Sequence, residues 1–178
     1  MVCPTLDEEA RLVERAKREP EAFRMLYEFY LPALYRYCYY RTGSKVEAED
    51  AVAETFLQAW EYIHRYQFRG IPFNHWLYRI AGRIISREGR RGQREMRMEE
   101  AAPCAVARNE ALDSLSKRLE LEAALHTLPK LQQEALFLRY IQDLSLRDVA
   151  RIMGRSEGSI KQLTFRALQT LRERLGER

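Results

Sequence analysis

Apolar residues return every three or four positions along most of this chain, the spacing that lines one face of a helix. In Ser145–Leu168 the stripe is Leu146, Val149, Ala150 and Met153, and a second one follows at Ile160, Leu163, Ala167 and Leu171. Gly154-Arg155-Ser156 interrupts the two, with Ser156 placed to cap the second helix by accepting a backbone N–H. Two short helices across a tight Gly turn form a helix-turn-helix layout. Upstream, the same periodicity predicts a first helix over about Asp7–Arg18 and a second opened by Pro20. The second puts Phe23, Leu26, Tyr27, Tyr30, Leu34 and Tyr37 on one side, is kinked at Pro32, and ends at Gly43. Ser44 starts a third helix that runs to about Tyr66. The loop Gln67–Asn74 holds Gly70 and Pro72 and breaks the pattern, and helix resumes over His75–Arg91.

No alternating Val/Ile/Thr run is bounded by turn residues, so strands are not predicted. From Gly89 to Ser114 the stripe fades into Arg, Glu and small residues, the composition of a partly helical linker. Helical signal returns at Leu119–Leu128, breaks at Pro129 and continues through Ala135–Ile141. The expected fold is all-α: two small helical domains, residues 1–92 and 115–178, joined by a linker over 93–114.

Charge changes this picture more than composition does. Residues 1–60 carry eight Lys/Arg against eleven Asp/Glu, a net of −3, whereas residues 79–97 carry seven Arg against Glu88 and Glu95. So basic a segment suits a polyanion, because each neutralised phosphate releases counterions; a solvated charged face is the alternative. No apolar run approaches the roughly 20 residues needed to span a bilayer. The acidic start, MVCPTLDEEARL, lacks a signal-peptide core, so a cytoplasmic chain without membrane insertion is expected. Cys3, Cys38 and Cys104 are odd in number and widely spaced, and His64, His75 and His126 join no ligand cluster. Neither a disulfide framework, a metal site nor a cofactor is expected, and no nucleophile–base pair or phosphate-cradling Gly loop points to an enzyme.

The densest chemistry lies between Tyr62 and Arg91. Phe68, Phe73, Trp76 and Tyr78 surround the Gly/Pro loop, and Arg79, Arg83 and Arg87 follow at i, i+4, i+8 along one helix face. Single-stranded nucleic acid needs this mixture, since bases stack on rings at roughly 1–3 kcal/mol each while cations follow the backbone. A loop can also hold a base turned out of the duplex. The competing assignment makes most of these aromatics core. In the third helix, Asp50, Glu54, Leu57 and Gln58 share a face that fits either a docking partner helix or solvent.

The blocks AEDAVAETFLQAW, FRG…F..WLYRIA..II..R.RR and LP…Q.EAL.LRYIQDLSLRDVARIMGRSEGSIKQLTFRAL, in that order, resemble an extracytoplasmic-function (ECF) sigma factor of the sigma-70 superfamily. The resemblance covers about residues 7–175. It implies a region 2 domain, a linker and a region 4 domain, and as partners bacterial core RNA polymerase, promoter DNA and an anti-sigma factor. By the same resemblance Asp50, Glu54 and Leu57 match the surface that docks on core polymerase. Phe68, Arg69, Phe73 and Asn74 match the loop that captures an extruded −10 base, and Trp76, Arg79, Arg83 and Arg87 match the melting helix. Arg155, Ser156, Ser159, Lys161, Gln162, Phe165 and Arg166 match the surface that enters the −35 major groove. Lys161, Gln162 and Phe165 also lie opposite the Ile160/Leu163/Ala167 stripe on a helical wheel. Two rivals remain: an autonomous helix-turn-helix regulator, and a helical protein–protein adaptor. Polymerase-dependent transcription separates the three.

Overall fold

Thr5 opens the first helix with a capping box. Its hydroxyl accepts the Glu8 N–H while the Glu8 carboxylate accepts the Thr5 N–H at 2.8 Å. This computed structural model describes residues 5–68, 70–95, 121, 123–125 and 127–176, with backbone alone over 88–95. Helix α1 spans Leu6–Ala16, and α2 spans Pro20–Thr42 with Pro20 in its first turn. Pro32 withholds one N–H from the ladder, yet α2 runs unbroken through it. Gly43 ends it in the left-handed region at φ 73°, its N–H bonded to the Tyr39 carbonyl at 2.8 Å. Ser44 caps α3 (Lys45–Tyr62). A 3₁₀ turn at Ile63–Arg65 then tightens the chain, so α3 stops short of the expected Tyr66.

Helix α4 spans Phe73–Glu95 and differs from expectation at both ends. It starts two residues before His75, taking Phe73 and Asn74 out of the loop. It also continues past Gly89 and Gly92, through positions 93–95 that the sequence pattern assigns to the linker. Propagating an established helix adds a hydrogen bond for each residue fixed, and a Gly costs only about 1 kcal/mol against that. The remaining linker residues, 96–114, lie outside the described residues.

The chain divides into two compact units, Met1–Glu99 and Glu100–Arg178. In the first, α2 packs on α1, α3 and α4, and α3 packs on α4. Val13, Leu26, Leu34, Tyr37, Phe56, Phe73, Leu77, Tyr78 and Ile84 fill the centre. Each large apolar side chain buried this way contributes about 1.5–3 kcal/mol. Burial pushes the Cys38 thiol up to about 12, against a smaller opposing pull from Arg41, which keeps it an inert core group.

In the second unit, residues 123–125 are helical and α5 spans Lys130–Leu136. A π turn at Phe137–Ile141 follows, in which the Gln142 N–H reaches the Phe137 carbonyl five residues back. Helix α6 (Leu146–Met153) is capped by Ser145, and α7 (Glu157–Leu175) by Ser156. Leu136, Leu138, Val149, Ile152, Ile160, Ala167 and Leu171 are buried in this unit, whose α5 and α6 both pack on α7. Among the described residues there is no strand, and no helix is long and apolar enough to cross a membrane.

Gly154 joins α6 to α7 at φ 63° with open space where a Cβ would stand. Gly154→Ala therefore meets no clash, only the left-handed backbone penalty. It is expected to destabilise this unit by about 1–2 kcal/mol, read as a lowered urea midpoint in its unfolding transition.

Candidate nucleic-acid interface

Helix α7 separates two faces cleanly. Ile160, Thr164, Ala167 and Leu171 are buried, while Arg155, Ser156, Lys161, Gln162, Phe165 and Arg166 are exposed and Ser159 is half-buried. The side chains expected to read duplex DNA thus share one surface, with three cations among them. Ser156 Oγ already accepts the Ser159 N–H at 3.2 Å, which leaves its own hydroxyl proton to donate outward. Phe165 is 66% exposed, a large ring with no core to fill.

On α3, Asp50 and Leu57 face solvent, Leu57 at 66% exposure, and Val46 lies one turn before Asp50 on the same side. Glu54 is more engaged. Its Oε1 accepts Gln58 Nε2 at 3.0 Å and Arg87 Nη2 at 2.6 Å. Two side chains that the sequence assigns to separate surfaces therefore meet across α3 and α4. An exposed pair of this kind contributes roughly 0–1 kcal/mol, so either partner exchanges readily for a ligand.

The loop corrects one assignment. Phe73, expected as an apolar wall open to a base, is fully buried. Its ring lies 5.4 Å from both Tyr66 and Trp76 and 5.9 Å from Tyr30. The cause is the earlier start of α4, which aims Phe73 along the same inward stripe as Leu77 and Ile84. Phe68 is half-buried in the loop, and Arg69 lies outside the described residues. Asn74 Oδ1 is buried with no hydrogen-bond partner among the described residues. Trp76 is half-buried, tilted against Tyr66 at 4.6 Å between centroids.

Beside these rings lies an open depression of about 480 Å³ lined by Tyr62, Arg65, Tyr66, Gln67 and Trp76. Tyr62 opens the aromatic–basic run already visible in the sequence, and EYIHRY extends that signal to Arg65 and Tyr66. Burial, with the nearby Glu9 charge second, pushes the Tyr66 phenol up to about 12, so it stays a neutral donor at neutral pH. Arg79, Arg83 and Arg87 are exposed along α4, opposite buried Leu77, Ile80, Ala81 and Ile84. Arg83 Nε donates to the Arg79 carbonyl at 3.2 Å, leaving its remaining guanidinium N–H groups for other acceptors.

Glu9 belongs to this region too, and its one local sign is a place on the inward stripe with Val13 and Ala16. It is 3% exposed, and its Oε1 accepts the Phe73 N–H at 2.8 Å and the Tyr30 hydroxyl proton. Among the described residues no group of His, Cys, Asp and Glu gathers as metal ligands.

Comparison with known proteins places both units. Residues 26–95 match the sigma-70 region 2 family and residues 118–171 the sigma-70 region 4 family. The ECF RNA polymerase sigma factor BldN of Streptomyces coelicolor is 39% identical over 90% of this chain, which spans only 63% of BldN's own length. The ECF RNA polymerase sigma factor SigL of Mycobacterium tuberculosis is 30% identical, with 94% of this chain and 97% of SigL aligned. Among solved structures, the sigma factor RpoE in complex with the anti-sigma factor NepR from Bartonella quintana superimposes with a TM-score of 0.75 at 27% identity. That match covers 87% of this chain and 97% of RpoE. Two helical units in the order of regions 2 and 4, with a relative of matching length at this identity, mean that the chain belongs to the ECF sigma factors of the sigma-70 superfamily.

Proposed function

We propose that this chain docks on core RNA polymerase through α3 and directs it to promoters by reading −35 duplex with α7 and unpaired −10 bases with the α3–α4 loop and α4. The observation that carries this reading is one exposed Arg row, Arg79, Arg83 and Arg87, set beside an aromatic depression, in the same chain as an exposed recognition face. Duplex recognition alone needs only the second. In this reading residues 1–92 form the region 2 domain, 93–114 the tether and 115–178 the region 4 domain. The chain makes and breaks no bonds. Strand opening is driven by tighter binding to unpaired bases than to paired ones, and the work is done in the cytoplasm alongside the polymerase. The solved relative RpoE is held by an anti-sigma factor, and the same type of partner is proposed to hold this chain inactive.

Purified chain added to core polymerase should give run-off transcripts from promoters recovered with it, and core alone should not. Equal promoter occupancy with and without core, and no added transcript, would favour the autonomous regulator.

The −35 surface supplies its own test. Lys161→Ala and Arg166→Ala in the polymerase-bound chain are each expected to weaken promoter binding. A base-reading contact is worth about 1–3 kcal/mol, while a phosphate contact lowers the salt slope by about 1. Titration at several salt concentrations tells the two apart, and an unchanged affinity for both variants would move the recognition surface elsewhere.

A further inference from the structure

The first turn of α4 lacks a cap of its own. The residue before Phe73 is Pro72, which has no side-chain oxygen to accept an N–H. Glu9, 64 residues away on α1, supplies the acceptor instead, and the Tyr30 hydroxyl donates to the same oxygen. Of the acidic run Asp7, Glu8 and Glu9, the first two face solvent and only Glu9 is buried. Burying a carboxylate is costly unless it is hydrogen-bonded, and the positive end of a helix is where such a charge is best accommodated.

What this cap holds is the loop's exit. Phe73, whose N–H it binds, carries Tyr66 and Trp76 against its ring, and those two residues line the depression beside the loop. A helix N-terminus is also a ready anion site. Here a protein carboxylate fills it.

We propose that Glu9 is a positioning residue for strand opening: by capping α4 it fixes the exit of the loop and the orientation of Trp76, so that an extruded base meets one preformed surface. This role rests on the sigma-factor reading given above.

The test uses the full chain with core polymerase and three variants. Glu9→Leu keeps the volume and removes the acceptor. Glu9→Gln keeps an acceptor oxygen without the charge. Tyr30→Phe keeps the ring and removes one donor. Core affinity, −35-dependent binding and permanganate-detected opening are measured, with base preference at the looped −10 position read on pre-melted templates. Glu9→Leu should leave core and −35 binding within about twofold, lower opening by about tenfold and flatten base preference. Glu9→Gln should recover most of both.

Wild-type base preference in a folded Glu9→Leu chain would overturn the role. So would a proportional loss at every step, which would make Glu9 a stability residue only. Should Glu9→Leu not fold, Tyr30→Phe decides, because the Tyr30 hydroxyl holds the same Glu9 oxygen that caps Phe73: with that hold lost, opening is expected to fall by about threefold, and unchanged opening and preference in that folded chain would overturn the proposal. A wild-type chain that opens no promoter with core polymerase would overturn the sigma-factor reading itself.

Discussion

Asp50→Lys combined with Leu57→Ala is expected to weaken binding to core polymerase by about a hundredfold or more with little change in folding stability. Leu57 is 66% exposed, and burying such a side chain against a partner contributes about 1.5–3 kcal/mol. If α3 is the docking face proposed above, reversing the charge at Asp50 replaces an attraction with a repulsion there. Asp50 has no hydrogen bond or ion pair among the described residues, so its loss should cost the free chain about 0.5 kcal/mol or less. Glu54 is the poorer probe. Reversing it would also break the contacts with Gln58 and Arg87 and set two cations side by side, confusing docking with internal rearrangement. Fluorescence anisotropy against labelled core, with circular dichroism as the folding control, measures the effect. Full affinity in the double variant would mean that α3 is not the docking face.

The helix ends of this chain are legible because their signals are local. Gly43, Ser44, Gly154 and Ser156 announce caps within three or four residues, and the structure has each of them as a cap. The exposed and buried faces of α7 follow from the spacing of Ile160 and Ala167 for the same reason. Long-range features are a different matter. Spacing puts Glu9 on the inward stripe with Val13 and Ala16, but its partners, the Tyr30 hydroxyl and the Phe73 N–H, lie 21 and 64 residues further on and cannot be read locally. The Glu54–Arg87 pair joins residues 33 apart on different helices.

Phe73 is the instructive error. A ring next to Gly70 and Pro72 reads as part of a loop, and only the true start of α4 places it on the inward stripe with Leu77. The π turn at Phe137–Ile141 was illegible too. No Gly or Pro marks it, and only the hydrogen-bond ladder shifts by one residue, the Gln142 N–H reaching Phe137.

The two phenylalanines that flank the Gly/Pro turn should therefore behave oppositely, and that contrast tests the opening mechanism. Phe73→Ala removes a fully buried ring, which costs about 3–5 kcal/mol of stability. It is expected to depress core binding, −35 binding and opening together. Phe68 is half-buried in the loop, so Phe68→Ala should leave folding and core affinity near wild type. In the proposed mechanism its ring meets an unpaired base only after the strands separate. Stacking worth roughly 1–3 kcal/mol per base then translates into a loss of about 5–150-fold in open complex, with initial promoter binding unchanged. Exchanging residues 67–72 for the loop of another ECF factor should change which −10 base is preferred and leave the −35 choice alone. Arg79→Ala and Arg83→Ala should each lower affinity for single-stranded −10 DNA and reduce its salt slope by about 0.7, since the proposed mechanism sets them against phosphates rather than bases. Permanganate footprinting on the polymerase-bound chain, paired with single-strand binding, separates these outcomes. Equal losses at closed and open stages for Phe68→Ala, with base preference unmoved by the loop exchange, would reduce the loop's aromatic to packing. Strand capture would then have to be sought along the Arg row and the Tyr66–Trp76 depression instead.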